Sequence, residues 1–133
     1  KILNKKVLQA YDFALRGRVN LSEKGLENIQ HQWQPICILH PETKRTALYV
    51  SRLISARIEG LEHTESTEIL EQLYDISENC SVVYEHVWQK GDLLMWDNRC
   101  SIHARKTFPS EQRRVLRRCT VEGGPMVAAD MAT

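Results

Sequence analysis

Trp96-Asp97-Asn98-Arg99-Cys100-Ser101-Ile102-His103 is the stretch on which the reading of this chain turns. The polar turn Asp97-Asn98-Arg99 separates the apolar run Leu93-Leu94-Met95-Trp96 from Cys100 to His103, which continues a β pattern. Upstream, Ser81 to Trp88 is strand-like and Lys90-Gly91-Asp92 is a turn signal. Downstream, residues 104 to 112 loop out through Pro109, Gln112 to Glu122 returns as a strand, and Gly123-Gly124-Pro125 closes it. The two-residue period of a strand puts Arg114, Leu116 and Arg118 on one face of that last run. Arg113, Val115, Arg117 and Cys119 fall on the other. At ~3.3 Å per residue, Arg114 and Arg118 stand roughly 13 Å apart along the strand. An arginine pair facing an interior requires an anionic partner, because an unpaired buried charge is costly. Periodicity leaves open which face is inside.

Working back towards the N-terminus, Ile36-Cys37-Ile38-Leu39 and Thr46-Ala47-Leu48-Tyr49-Val50 flank the turn His40-Pro41-Glu42-Thr43-Lys44-Arg45, the layout of a hairpin. A helix follows, with Thr64 as candidate N-cap and Glu65 and Glu68 in the first turn. Ile69, Leu70, Leu73 and Tyr74 form its buried stripe, and it ends near Asn79. Lys6 to Leu15 also reads as a helix, with Val7, Leu8, Tyr11, Ala14 and Leu15 on one stripe and Gly17 as its stop. Residues 18 to 35 have no clear period and read as a long loop. Strands dominate, so the expected class is mainly β with helical insertions, a sandwich or jelly roll.

With 133 residues, 42% hydrophobic and 26% charged, the composition is that of one globular domain with a modest core. A formal net charge of +1 and the lack of a long basic run give no nucleic-acid footprint. No apolar stretch approaches the roughly 20 residues of a membrane-spanning helix. Cys37, Cys80, Cys100 and Cys119 form no C-x-x-C pair, which argues against a zinc site; they read as buried apolar residues of a cytosolic protein.

Taken together, Gly91-Asp92-Leu93, Trp96-Asp97-Asn98-Arg99, His103 and arginines 11 and 15 positions later resemble the C-terminal signature of the taurine/2,4-D dioxygenase family. His40-Pro41-Glu42-Thr43-Lys44-Arg45 with Leu48-Tyr49-Val50 resembles that family's second recurrent motif, and Arg57-Ile58-Glu59-Gly60-Leu61 fits as well. The resemblance runs from about residue 36 to 122. It implies a double-stranded β-helix, or jelly roll, and iron(II) held by a 2-His-1-carboxylate triad. By the same resemblance His103 is the distal histidine, and Arg114 pairs with the C5 carboxylate of the co-substrate 2-oxoglutarate through its planar guanidinium. Arg118 then faces the anionic group of the substrate, and Ile54 falls where the family lines its substrate pocket. The implied reaction consumes O2, converts 2-oxoglutarate to succinate and CO2, and hydroxylates a small organic anion of sulfonate, sulfate-ester or aryloxy-carboxylate type. A cytoplasmic homo-oligomer with no nucleic-acid or membrane partner is the expected context.

The sequence departs from that pattern in two places. The first two triad ligands come in the family as His-x-Asp or His-x-Glu upstream of the distal histidine. Among His31, His40, His63, His86 and His103, only His40-Pro41-Glu42 has that form, and it lies inside the hairpin motif the family has in addition to its triad. The triad therefore cannot be completed from these residues, and five or six strands fall short of the roughly eight of a jelly roll. Both shortfalls lead us to expect the C-terminal portion of one dioxygenase domain over residues 1–133. Residues 1–35 are its helix and loop, 36–122 its motif-bearing part and 123–133 its tail. The alternative is a truncated, non-catalytic remnant that acts as a binding or dimerisation module. The second departure is Lys44, where the family commonly has Gly; a turn of different type is expected there.

Overall fold

The computed structural model describes residues 2–11, 29–79, 81 and 83–129. Among these residues there are five strands and one helix: β1 (Lys6–Tyr11), β2 (Gln30–Pro35), β3 (Cys37–Leu39), β4 (Thr46–Leu48), β5 (Ser55–Ile58) and α1 (His63–Glu78). They form an antiparallel three-stranded sheet in the order β2-β1-β5 and the two-stranded hairpin β3-β4, with no closed barrel. No helix among the described residues is long and apolar enough to cross a membrane.

The first correction concerns residues 6–11, expected as the start of a helix and found as the central strand of the sheet. Val7 joins the core cluster with Ile58, Leu70 and Tyr74. Leu8 points the other way, registered between Trp33 and Arg57, whose guanidinium reaches to 5.7 Å from the Trp33 ring centroid. A strand covered on both faces shows an unbroken apolar pair, and Val7, Leu8 and Tyr11 then mimic helical spacing. The remainder of that expected helix, to Leu15, lies outside the described residues, as does most of the expected loop. That loop's last part, Gln30–Pro35, is β2.

The hairpin forms as expected, with Cys37 opposite Leu48 and Leu39 opposite Thr46. Its turn departs from expectation, because Lys44 takes the left-handed conformation at φ 58°. The Lys44 N–H donates to the His40 carbonyl and the His40 N–H to the Arg45 carbonyl, each at 2.9 Å, which holds the backbone in that region despite the Cβ. A non-glycine residue there costs roughly 1–2 kcal/mol, of which the greater unfolded-state freedom of glycine takes back about 0.5–1 kcal/mol. Lys44→Gly is therefore expected to raise stability by about 0.5–1 kcal/mol, read as a higher urea midpoint. A lower midpoint would mean that the Lys44 side chain stabilises the turn by more than its strain.

Helix α1 begins at His63 with Glu62 at the N-cap position, so Thr64 lies inside the first turn and is not the cap. Glu62 has extended backbone and its carbonyl accepts the first helical bond, from the Ser66 N–H at 2.9 Å. The buried stripe is as expected, with Leu70 and Tyr74 fully buried and Ile69 and Leu73 packed against the core. Two polar contacts fasten α1 to β5. The Ile58 N–H donates to Ser66 Oγ at 2.8 Å, and the Tyr74 hydroxyl donates to the Ser55 carbonyl at 2.7 Å. The tail is not free: Leu39 and Ala129 exchange backbone bonds with Val127 and Cys37, and Ala129 is buried. Residues 127–129 thus extend the hairpin by a short antiparallel contact.

Residues 83–127 give the largest difference. The expected strands at 81–88, 93–96, 100–103 and 112–122 are not laddered; the chain there is extended or turning, and mostly exposed. Leu93 is 84% exposed and Met95 82%. The turns are where they were expected: the Asp92 N–H donates to the Gln89 carbonyl, and Cys100 and Ser101 donate to that of Asp97. The alternation is present too, since the rings of Tyr84, His86 and Trp88 meet along one side, tilted and then edge to face, at successive centroid distances of 5.9 and 4.6 Å. A two-residue pattern encodes an extended chain with a wet and a dry face, but a ladder also needs a neighbour whose backbone groups are free. Of the cysteines, Cys37 is buried as expected, and burial pushes its thiol pKa up. Cys100 and Cys119 are exposed, contrary to expectation, because their strands are uncovered.

Candidate functional site

The turn after Trp96 is wound around one residue. The Asp97 carbonyl accepts from the Ser101 N–H at 3.2 Å and the Ser101 hydroxyl at 2.5 Å, and the Cys100 N–H approaches to 3.4 Å. Its carboxylate accepts from the Arg99 N–H at 2.8 Å through Oδ1, the self-capping bond that suits Asp to turns. Oδ2 lies 3.2 Å from His40 Nε2. These bonds hold the Asp97 carboxyl below the ordinary carboxylate range, the Arg99 N–H first and His40 after it. Trp96 is set from the same turn: its indole N–H donates to Asn98 Oδ1 at 2.9 Å, and its ring lies 4.8 Å from the His103 imidazole. The turn and His103 are therefore linked through a packed side chain.

The remaining candidates are spread out. Arg114 is exposed, with its guanidinium 5.9 Å from the Phe108 ring centroid, and Arg118 is exposed. Among the described residues neither has an ion-pair partner, and neither arginine face of 113–118 is interior. Ile54 is half-buried, its carbonyl accepting from the Ala10 N–H at 2.8 Å. It lines an open groove of about 520 Å³ with Gln9, Tyr11, Gln30, His31 and Tyr49. His103, Arg114 and Arg118 do not line that groove.

A facial-triad iron needs two histidines and a carboxylate converging on one point. Among the described residues His103 belongs to no such group. The group that does converge is His40, Asp97 and Cys100, whose ligand atoms lie within 4.8 Å of one another. The residues present thus supply one candidate iron ligand, and the donor set does not close an iron site. The His40–Asp97 contact was not legible beforehand: 57 positions separate the two residues, and neither motif signals the other.

Residues 6–120 match the model of the taurine catabolism dioxygenase TauD, TfdA family. The chain belongs to this family. It is similar to an (S)-phenoxypropionate/alpha-ketoglutarate-dioxygenase of Sphingobium herbicidovorans, 37% identical over 101 residues, covering 76% of this chain and 35% of that protein. It is also similar to an alpha-ketoglutarate-dependent 2,4-dichlorophenoxyacetate dioxygenase of Cupriavidus pinatubonensis, 33% identical over 119 residues (85% and 41%). An alkylsulfatase of Acinetobacter baylyi is 30% identical over 89 residues (67% and 28%). The chain spans about a third of the length of these curated relatives.

Proposed function

We propose that this chain is the C-terminal, co-substrate-binding part of an iron(II)- and 2-oxoglutarate-dependent dioxygenase. The observation that carries the reading is the family match over residues 6–120, which includes the His40 hairpin, the Trp96–Arg99 turn, His103, Arg114 and Arg118 in order. In this reading His103 is the distal iron ligand and Arg114 clamps the C5 carboxylate of 2-oxoglutarate by two parallel N–H···O bonds. Arg118 holds the substrate's anionic group, and Ile54 lines part of the substrate pocket. Iron, when bound, supplies the oxidative chemistry; the protein orients the two anions and keeps the reacting centre dry.

The substrate class is a small organic anion with O2 as co-substrate. Relatives named for phenoxypropionate, for 2,4-dichlorophenoxyacetate and as an alkylsulfatase support an aryloxy-carboxylate or a sulfate ester. The jelly roll belongs to the same reading. The exposed apolar side chains of Val83, Val87, Leu93, Met95 and Val121 fit strands that become covered when they pair with sheet residues outside 1–133. The His-x-acid ligands belong to that other part.

Anaerobic titration of iron(II) with 2-oxoglutarate tests the assignment through the weak visible charge-transfer band of the ternary complex. We expect no band from residues 1–133 alone, and a band once a segment carrying a His-x-acid pair is joined to them. A band from the 133-residue chain alone would overturn the view that the other ligands lie outside it. No band from the joined protein would overturn the function.

A further inference from the structure

The convergence of His40, Asp97 and Cys100 has the ligand types of a metal site, but its hydrogen bonds point elsewhere. The backbone N–H groups of Glu42 and Thr43 both donate to His40 Nδ1, each at 3.3 Å. That nitrogen is therefore the bare acceptor of the ring, and the proton sits on Nε2. From there it is donated to Asp97 Oδ2 at 3.2 Å. A metal on Nε2 would need the ring proton on Nδ1, aimed at two backbone donors, whereas a ligating histidine gives its second N–H to an acceptor.

We propose that His40 is a positioning residue for His103, acting through Asp97 and Trp96. His40 is buried, at 9% exposure, and its ring is fixed on one side by the turn of its own hairpin. On the other side it fixes Oδ2 of the Asp97 carboxylate, which is 41% exposed and is otherwise held by Arg99, through its N–H at Oδ1 and its guanidinium 4.0 Å from Oδ2. Asp97 winds residues 97–101 around its carbonyl and carboxylate. That turn sets Asn98, which holds the Trp96 indole, and the indole packs against His103. The β3–β4 hairpin thereby sets the orientation of an imidazole on an otherwise uncovered segment. The significance for iron rests on the proposed function; the coupling itself does not.

Nuclear magnetic resonance on the 15N-labelled 133-residue chain tests it without iron. His40 is expected to show an unprotonated Nδ1 and a protonated Nε2, unchanged on adding Zn(II). Asp97→Asn keeps the side-chain shape but only one acceptor, setting an NH2 donor against either the Arg99 N–H or the His40 Nε2–H, and should shift the Trp96 indole N–H and His103 ring resonances. Asp97→Ala should shift both. His40→Phe, which keeps ring volume and removes the donor, should also shift both and serves if Asp97→Ala does not fold. Unmoved Trp96 and His103 resonances in His40→Phe, with only a lower melting temperature, would reduce His40 to a purely structural role and overturn the proposal. Zn(II) displacing the Nε2 proton would overturn it in favour of a metal site. Failure of the iron titration with these resonances behaving as expected would sink the functional reading alone.

Discussion

Tyr74→Ala is expected to destabilise the chain by about 3–5 kcal/mol, the range for truncating a large buried aromatic side chain. Tyr74 is fully buried and belongs to the core cluster that joins α1 to Val7, Ile36 and Ile58. Its hydroxyl donates to the Ser55 carbonyl at 2.7 Å, so truncation leaves both a cavity and a buried carbonyl that has lost a partner. Above the ring lies the Arg52 guanidinium, 4.9 Å from its centroid, which also pairs with Glu71, Asp75 and Glu78. Those pairs, first the bond to Glu71, raise the Arg52 pKa further. They are more than a third exposed and contribute little beside the ring's burial. Tyr74→Phe separates the two effects: it keeps the volume and is expected to cost about 1–2 kcal/mol for the lost hydrogen bond. Urea unfolding followed by circular dichroism measures both. A Tyr74→Ala loss under 1 kcal/mol would mean that the α1–β5 contact does not hold this half of the chain together. Since whole domains are stable by only about 5–15 kcal/mol, the expected loss removes a large share of the total.

What the sequence made legible was local. The β3–β4 hairpin and the Leu70–Tyr74 stripe appear because a short polar turn between apolar runs, and an i, i+4 repeat, each encode their element without distant help. The Asp97 turn is legible for the same reason, through a carboxylate that caps its own backbone. What was not legible depended on partners far away in the chain. Val7 and Leu8 look helical until β2 and β5 flank them and bury both faces of β1. Lys44 takes a glycine's conformation because two hydrogen bonds across the turn hold it there. The alternation of residues 81–122 is real, yet no strand among the described residues pairs with it, and apolar side chains stay exposed. For the candidate site, the family resemblance proposes His103, Arg114 and Arg118, and among the described residues only His103 is linked to the Asp97 turn, through Trp96. The resemblance could not show that His40, set aside as an iron ligand, meets the turn that leads to His103.

The second large effect concerns Arg114. In a protein that joins this chain to a His-x-acid ligand pair, Arg114→Ala is expected to weaken 2-oxoglutarate binding by about 10²–10³-fold. That corresponds to roughly 3–4 kcal/mol for truncating one partner of a desolvated charge pair. Arg114 is suited to that role by its freedom: it has no ion-pair partner among the described residues and rests only beside the Phe108 ring. Arg114→Lys should recover only a small part of the loss, because an ammonium is a point charge and cannot make two parallel bonds to one carboxylate. Arg118 provides the internal comparison. In the strand that the proposed function requires, it would share a face with Arg114 at a separation of roughly 13 Å along the chain, which sets the two guanidinium groups on different anions. Arg118→Ala should therefore leave 2-oxoglutarate affinity within about threefold of the parent, under ~1 kcal/mol, while weakening substrate binding and sparing uncoupled 2-oxoglutarate turnover. Calorimetric titration with 2-oxoglutarate under anaerobic iron(II), followed by succinate release with and without substrate, reads both. If the two alanine variants lost 2-oxoglutarate affinity equally, the division of labour between the arginines would be wrong. If only Arg118→Ala lost it, the two roles would be exchanged, and the chain would enter its strand with the opposite end towards the metal.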